Sequence, residues 1–306
     1  MSVQPLPIKT DHEGPFAGIA TIVLEQPGKP VVVLEHELIQ RLEAAIQALP
    51  KLLTGVVLAS ASDRVFVAGA DLKAIMAMDD AQLDKYLIYG SKVFGMLSQL
   101  PCPTVAAING AALGGGLELA MHCDGLIAAP PVSRDGQPGR PYPVGLPEAG
   151  LCICPGWGGT NLLPARMDPA EAMRRTASGT PLTFDEANKA GLFDAVASSS
   201  AQLLDAAKTW VKARAARGKP ERDGAPLHWI GRYPRSQAGK DALESVRDQI
   251  AATESGRAVL EAIEAGLSTG WQAALAVERR ELIRLRHTPQ ARQAIEAFFA
   301  KTAPKK

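Results

Sequence analysis

The sequence lacks a long apolar run, a surplus of charge of one sign and a recognisable export signal. No stretch of about 18 apolar residues occurs, so we expect no membrane-spanning helix. Lysine and arginine number 33 against 32 aspartates and glutamates. Because the overall charge is balanced, it favours neither a nucleic acid nor an anionic membrane as partner. Any anionic ligand must therefore be held by local groups.

Cysteine is scarce, and its placement excludes the usual metal motifs. Cys102, Cys123, Cys152 and Cys154 have spacings that match no zinc pattern, and the last two are too close for a confident structural disulfide. The first residues show no basic segment followed by an apolar core. We therefore expect a cytoplasmic protein with no metal site and no separate cofactor.

Hydrophobic periodicity predicts an α/β protein. Short apolar runs rich in β-branched residues and bounded by glycine or proline read as buried strands, and amphipathic stretches between them read as helices. The predicted strands are 17–24, 55–60, 103–109 and 124–129, and the clearest helices are 37–49 and 81–100. Beyond about residue 200 only helical patterns follow. We predict an α/β core in residues 1–200 and an α-helical region in residues 201–306.

Two glycine-rich junctions stand where a predicted strand meets a predicted helix. In the first, residues 66–73, Asp71 can cap the following helix and small residues leave the Ala68 N–H free to donate. In the second, residues 109–120, three glycines precede an apolar helix with Glu118 in its first turn. Exposed N–H groups at such a helix start favour an anion, and the absence of a Gly-Lys-Ser/Thr ending excludes a P-loop.

Two further patterns follow along the chain. Glu148 is a lone acid in the apolar segment 144–150, where desolvation would raise its pKa and allow proton exchange near neutral pH. Residues 155–160, Pro-Gly-Trp-Gly-Gly-Thr, form another glycine-rich approach to a helix. Taken singly, each pattern is more often structural: Glu118 would complement the helix dipole, and Glu148 would be a surface turn residue.

In this order and combination the four patterns resemble the enoyl-CoA hydratase/isomerase (crotonase) family. The C-terminal segment, with His-Thr-Pro-Gln-Ala at 287–291, Phe298-Phe299 and Lys305-Lys306, is similar to the close of the hydratase module of bacterial multifunctional fatty-acid-oxidation α-subunits. The resemblance implies a crotonase-like ββα spiral core with a C-terminal α-helical region. It also implies a hydratase of fatty-acid β-oxidation, which adds water syn to a 2-enoyl-CoA to give a 3-hydroxyacyl-CoA.

The same resemblance assigns roles to individual residues. The backbone N–H groups of Ala68 and Gly115 would form an oxyanion hole, and Glu118 and Glu148 would be the catalytic pair. Substrate contacts are implied at Ala70, Asp71, Leu72, Gly114 and Trp157. Coenzyme A would enter as part of the substrate. The implied partners are the acyl-CoA, further copies of the chain in a trimer or dimer of trimers, and a dehydrogenase.

The resemblance leaves alternatives open. The chain could be a 3-enoyl to 2-enoyl-CoA isomerase, another acyl-CoA enzyme of this fold, or a docking module for a dehydrogenase with little activity of its own. The sequence also departs from the family pattern at two places. Val32 stands where relatives commonly carry asparagine, and residues 130–141 form a longer loop that we expect to affect substrate choice.

Overall fold

A computed structural model describes residues 3–29, 31–132 and 139–302 of the chain. The strands are β1 (Ile8–Thr10), β2 (Ile19–Leu24), β3 (Gly55–Ser60), β4 (Val65–Val67), β5 (Thr104–Ile108), β6 (Ala111–Leu113), β7 (Gly125–Ala128), β8 (Pro143–Gly145), β9 (Leu182–Thr183) and β10 (Ala195–Val196). The helices are α1 (His36–Gln47), α2 (Leu72–Ala77), α3 (Asp80–Gln99), α4 (Gly115–Met121), α5 (Gly159–Leu162), α6 (Pro169–Ser178), α7 (Phe184–Lys189), α8 (Leu203–Ala215), α9 (Arg235–Ile250), α10 (Glu254–Ser268), α11 (Trp271–Leu285) and α12 (Pro289–Thr302).

Two compact bodies make up the chain, and each draws on separated parts of the sequence. The first body comprises Met1–Ala70, Lys92–Val144 and Leu182–His228. The second body comprises Asp71–Ser91, Gly145–Pro181 and Trp229–Lys306.

A mainly parallel sheet of six strands forms the centre of the first body. Its order is β1-β2-β3-β5-β7-β10; β1 is antiparallel to β2, and the other neighbours are parallel. Strands β5 and β7 are buried at every residue. Burial on both faces explains why these strands read as continuous apolar runs in the sequence. The four predicted strands and the two predicted helices are confirmed, with ends shifted by one or two residues.

Helix α8 packs on this sheet. Its Leu203, Ala207 and Val211 belong to a buried cluster with residues of β2, β3, β5 and β7. A β-carbon at Gly55 would collide with the Val211 side chain, so the missing side chain lets the helix approach the sheet. Each large apolar side chain buried here stabilises the fold by about 1.5–3 kcal/mol. Helix α8 packs on the sheet of the first body although it lies beyond residue 200. The predicted boundary of the α/β core at residue 200 stays a prediction.

A second, four-stranded sheet positions the glycine-rich junctions of the first body. Its order is β4-β6-β8-β9, with β4 parallel to β6 and β8 antiparallel to β9. Parallel neighbours end at the same edge of a sheet, so residues 68–70 after β4 and residues 114–116 after β6 emerge side by side. A β-carbon at Gly69 would lie 3.2 Å from the Leu113 carbonyl oxygen, which confirms this proximity.

The second body is largely helical. Helix α10 packs along α11, and α6 packs along α9. The buried Arg286 guanidinium ties α11 to the end of α2, because it donates to the carbonyl oxygens of Ile75 at 2.5 Å and Met78 at 2.8 Å and also bonds Asp80. The strand-poor C-terminal region predicted from the sequence is confirmed. Within the described ranges, no helix combines the length and apolar character needed to cross a membrane.

Candidate active site

The triglycine junction sets the start of α4 in the first body. Gly114 adopts φ +52° and ψ −129°, a backbone conformation that side chains disfavour. At Gly116 a β-carbon would collide with the carbonyl oxygen of Val67, so glycine is required for the helix to lie against β4. Gly115 is the first residue of α4, where the N–H has no acceptor within the helix. The junction therefore presents a backbone donor at the positive end of a helix.

Glu118 lies in the first turn of the same helix. Its side chain is 1% exposed, and every residue of α4 is buried. The Glu118 N–H donates to the Gly114 carbonyl at 3.0 Å, which fixes the carboxyl-bearing turn relative to the glycines. A glutamate that only complemented a helix dipole would normally face solvent, whereas burial of this carboxyl carries a desolvation cost. Its placement thus favours a chemical role over a purely structural one.

The prediction that Ala68 donates to a ligand is wrong. Its N–H already donates to the carbonyl oxygen of Val32 at 2.8 Å. Val32, which stands where relatives commonly carry asparagine, is 3% exposed. Its backbone carbonyl holds the segment around Val32 in place through this bond. The Ala68 amide therefore serves the structure.

Ala70, two residues further on, has the donor geometry that the sequence assigned to Ala68. The Gly69 carbonyl accepts from the Leu34 N–H at 2.9 Å. In a planar trans peptide the C=O and the next N–H point in opposite directions, so the Ala70 N–H points away from Leu34. Strand β4 has the segment containing Leu34 on one side and β6 on the other. The Ala70 N–H therefore points to the side on which β6 and the triglycine junction lie.

Glu148 opens a short 3-10 turn, Glu148–Leu151, in the second body. The residue as a whole is partly exposed, yet its Oε2 atom is buried without a hydrogen-bond partner. Burial raises the pKa of Glu148 to about 8, its own backbone N–H opposes this, and the neighbouring charge of Glu278 adds to the rise. A carboxyl that keeps its proton at neutral pH is suited to donating one.

Glu278, a fully buried acid on α11, was not predicted from the sequence because no local motif marks it. Its carboxylate accepts from the Gly158 N–H at 2.5 Å, the Thr160 N–H at 2.9 Å and the Thr160 hydroxyl at 2.5 Å. These donors cluster at the start of α5, so the glycine-rich segment 155–160 provides an anion-binding turn that one of the chain's own side chains fills.

Residues 15–220 match the enoyl-CoA hydratase/isomerase family. The chain belongs to this family. Among solved structures, enoyl-CoA hydratase from Bacillus anthracis is 26% identical, with a TM-score of 0.58 over 97% of this chain and 98% of that one. The similarity of the C-terminal segment to multifunctional α-subunits stays a prediction.

Two more distant structures support the crotonase fold. Enoyl-CoA hydratase from Bacillus halodurans is 21% identical, with a TM-score of 0.65 over 95% of this chain and 99% of that one. A hydratase from Mycobacterium avium subsp. paratuberculosis K-10 is 20% identical, with a TM-score of 0.62 over 99% of both chains. These similarities extend beyond residue 220, so the C-terminal helical region belongs to the fold of this chain.

Three of the remaining predicted substrate contacts, Asp71, Leu72 and Trp157, lie in the second body. Asp71 caps α2 by accepting from the N–H groups of Lys73 at 2.9 Å and Ala74 at 3.2 Å, and Leu72 begins that helix. Trp157 is 2% exposed and its Nε1 donates to the Leu87 carbonyl at 3.1 Å. The indole of Trp157 is packed inside the body, and its predicted substrate contact stays a prediction. The substrate contacts at Asp71 and Leu72 stay predictions.

Proposed function

We propose that the chain is an enoyl-CoA hydratase that adds water across the double bond of a 2-enoyl-CoA thioester. The observation that carries the proposal is the buried Glu118 carboxyl one turn after the Gly115 donor, in a member of the hydratase/isomerase family. Addition of water to the enoyl thioester places negative charge on the thioester oxygen. Two preorganised N–H donors, at Ala70 and Gly115, stabilise that enolate by several kcal/mol.

The two glutamates take different parts in this scheme. Glu118 accepts a proton from the water whose oxygen bonds to C3, and Glu148 delivers its proton to C2. The product is the 3-hydroxyacyl-CoA, and the two carboxyls return to their starting states by exchanging one proton through solvent. The raised pKa of Glu148 supports its part as the proton donor.

Activity of the purified chain tests the proposal. A panel of 2-enoyl-CoA esters of differing length should lose the absorbance of the conjugated double bond, and mass spectrometry should find one added water. Formation of 2-enoyl from 3-enoyl esters without hydration would identify an isomerase instead. Absence of turnover with every ester would favour the docking module for a dehydrogenase.

We predict that the loop at residues 130–141 affects substrate choice and leaves the chemical step unchanged. Residues 133–138 lie outside the described part of the chain. The two ends meet, because a β-carbon at Gly139 would lie 2.6 Å from the Pro131 carbonyl carbon. The Tyr142 hydroxyl also donates to the Ala129 carbonyl at 2.7 Å, which closes the base of the loop. A shorter connection should therefore cost little stability.

Replacing residues 133–139 by two glycines should change the ratio of kcat/KM between short and long enoyl esters. A glycine-serine loop of the original length is the control, since it separates loss of length from loss of side chains. Equal losses on every ester would contradict a role in specificity.

We also predict that the C-terminal helical region supports a trimer or a dimer of trimers. The apolar positions that suggested this are Leu260, Ile263, Leu267, Trp271, Leu275, Phe298 and Phe299. Ile263, Trp271 and Leu275 are buried within the chain, whereas Phe298 is 41% exposed. Light scattering should give an oligomeric mass, and Phe298→Glu should lower it. Leu52→Glu, at an apolar residue that is 92% exposed, is the matched control. A strict monomer at working concentration would refute the prediction.

A further inference from the structure

A cleft of about 890 Å³ opens in the first body, at the carboxyl ends of the parallel strands β3, β5, β7 and β10. Ligands of open α/β sheets commonly bind outside the carboxyl ends of the strands, and this volume is typical of small-molecule sites. The polar residues that line the cleft are Asp63, Arg64, Asn109, Arg140, Tyr142 and Ser200.

Hydrogen bonds between backbone groups hold the walls of this cleft together. The Arg64 carbonyl accepts from the Ala111 N–H at 3.1 Å, which joins the start of β4 to the start of β6. The Ala129 N–H donates to the Ile108 carbonyl at 2.9 Å, so the segment after β7 lies beside Asn109. The segment after β10 is tied to β7 in the same way. The polar groups therefore converge from a rigid frame.

The cleft lies across the second sheet from the glycine-rich junctions. Arg64 immediately precedes β4, and Asn109 stands two residues before β6. Both strands run from the cleft towards the Ala70 and Gly115 donors. Each has three residues and therefore spans about 10 Å. The proposed hydration thus makes no use of the polar groups of the cleft.

These polar groups offer both donors and acceptors to a ligand. Arg64 and Arg140 are exposed, and their side chains form no ion pair or hydrogen bond with other described residues. Guanidinium groups bind phosphate through paired, charge-assisted hydrogen bonds. The Asn109 amide nitrogen donates to the Ser62 carbonyl, whereas the buried Asn109 Oδ1 accepts from none of the described groups. A buried acceptor without a donor carries a free-energy cost, which a ligand hydroxyl would remove.

We propose that this cleft binds a small organic phosphate that carries hydroxyl groups, such as a sugar phosphate. The phosphate contacts Arg64 and Arg140, and a hydroxyl donates to Asn109 Oδ1. Two guanidinium groups favour a phosphate monoester over a carboxylate, because the monoester carries close to two negative charges at neutral pH. This binding site is separate from the proposed hydration and does not depend on it.

Isothermal titration of the full chain with glucose 6-phosphate, inorganic phosphate and glucose tests the proposal. Glucose 6-phosphate should bind most tightly. Arg64→Ala and Arg140→Ala should each weaken its binding by about 10- to 100-fold. Arg217→Ala is the matched control, because Arg217 is an exposed arginine of the same body outside the cleft, and it should leave the affinity unchanged. Thermal melts verify the fold of each variant.

Two further arms locate the bound molecule. Asn109→Ala should lower the affinity for glucose 6-phosphate towards that for inorganic phosphate and leave the latter unchanged, which general damage to the fold would not do. Saturating coenzyme A should not displace glucose 6-phosphate. Displacement by coenzyme A, full affinity in both Arg64→Ala and Arg140→Ala, or absence of binding at millimolar glucose 6-phosphate would overturn the proposal. Equal affinities for inorganic phosphate and glucose 6-phosphate would overturn the assignment of a hydroxylated ligand.

Discussion

Replacing either Glu118 or Glu148 by glutamine should lower the hydration of 2-butenoyl-CoA by about 100- to 10,000-fold, the range that general acid-base groups typically supply. Glutamine preserves the shape of both side chains but cannot accept a proton from water or deliver one to C2. Glu118 is 1% exposed on a fully buried helix. Because the glutamine side chain is neutral, it introduces no uncompensated buried charge at this position and should not destabilise the fold in that way.

The measurement is kcat and KM for each variant, with circular dichroism and thermal melts to verify folding. Glu171→Gln is the matched control for a lost carboxylate, because Glu171 lies on α6 in the same body as Glu148 and pairs on the surface with Arg174 and Arg175. Its activity should stay near that of the wild type. Near-normal turnover in either catalytic variant would show that the roles are assigned to the wrong residues.

The pH dependence of kcat/KM should report the protonation state of Glu148. Burial, with a further contribution from the charge of Glu278, raises the pKa of this carboxyl to about 8. A proton donor acts only in its protonated form, so kcat/KM should fall as pH rises through about 8. The residual activity of Glu148→Gln should lack this fall. A persistent upper limb in that variant would assign it to another group.

Features that depend on local sequence are predicted well in this chain. Asp71 caps α2 as predicted, because the N–H groups that it accepts from lie only two and three residues further on. The Thr-x-x-Glu spacing of Thr183 and Glu186 is likewise a local pattern, and the structure has a capping box there, with a 3.3 Å bond from the Glu186 N–H to the threonine hydroxyl. The apolar runs of β5 and β7 are also local signals, since a strand covered on both faces requires them. Periodicity and capping thus recover the elements and the order of the motifs.

Features that depend on partners far away along the chain were not predicted from the sequence. The Ala68 N–H is occupied because it donates to the Val32 carbonyl, whereas Ala70 forms an isolated bridge with Leu34. The donors that hold Glu278 lie 118 and 120 residues away from it, and α11 has no local motif that marks this acid. The glycine-rich segment 155–160 is the predicted approach to a helix, and it also holds a carboxylate of the chain itself.

The choice between the Ala68 and Ala70 amides leads to the second large expected effect. An amide-to-ester replacement at residue 70, with lactate in place of alanine, removes the N–H and keeps the methyl side chain. Loss of one oxyanion-hole donor typically lowers kcat by about 100- to 1,000-fold. The fall should appear in kcat more than in KM, because the donor acts on charge that develops in the transition state.

The same replacement at residue 68 is the matched control. It removes the N–H that donates to Val32, so it should cost about 0.5–1.5 kcal/mol of stability with little effect on kcat. An ester at residue 70 also weakens the Gly69 carbonyl as acceptor for the Leu34 N–H. An ester at residue 34 removes that donor and measures the contribution of this bond separately. A large loss of kcat at residue 70 alone would support Ala70 as the donor, whereas an equal loss at residue 68 would restore Ala68 to that role.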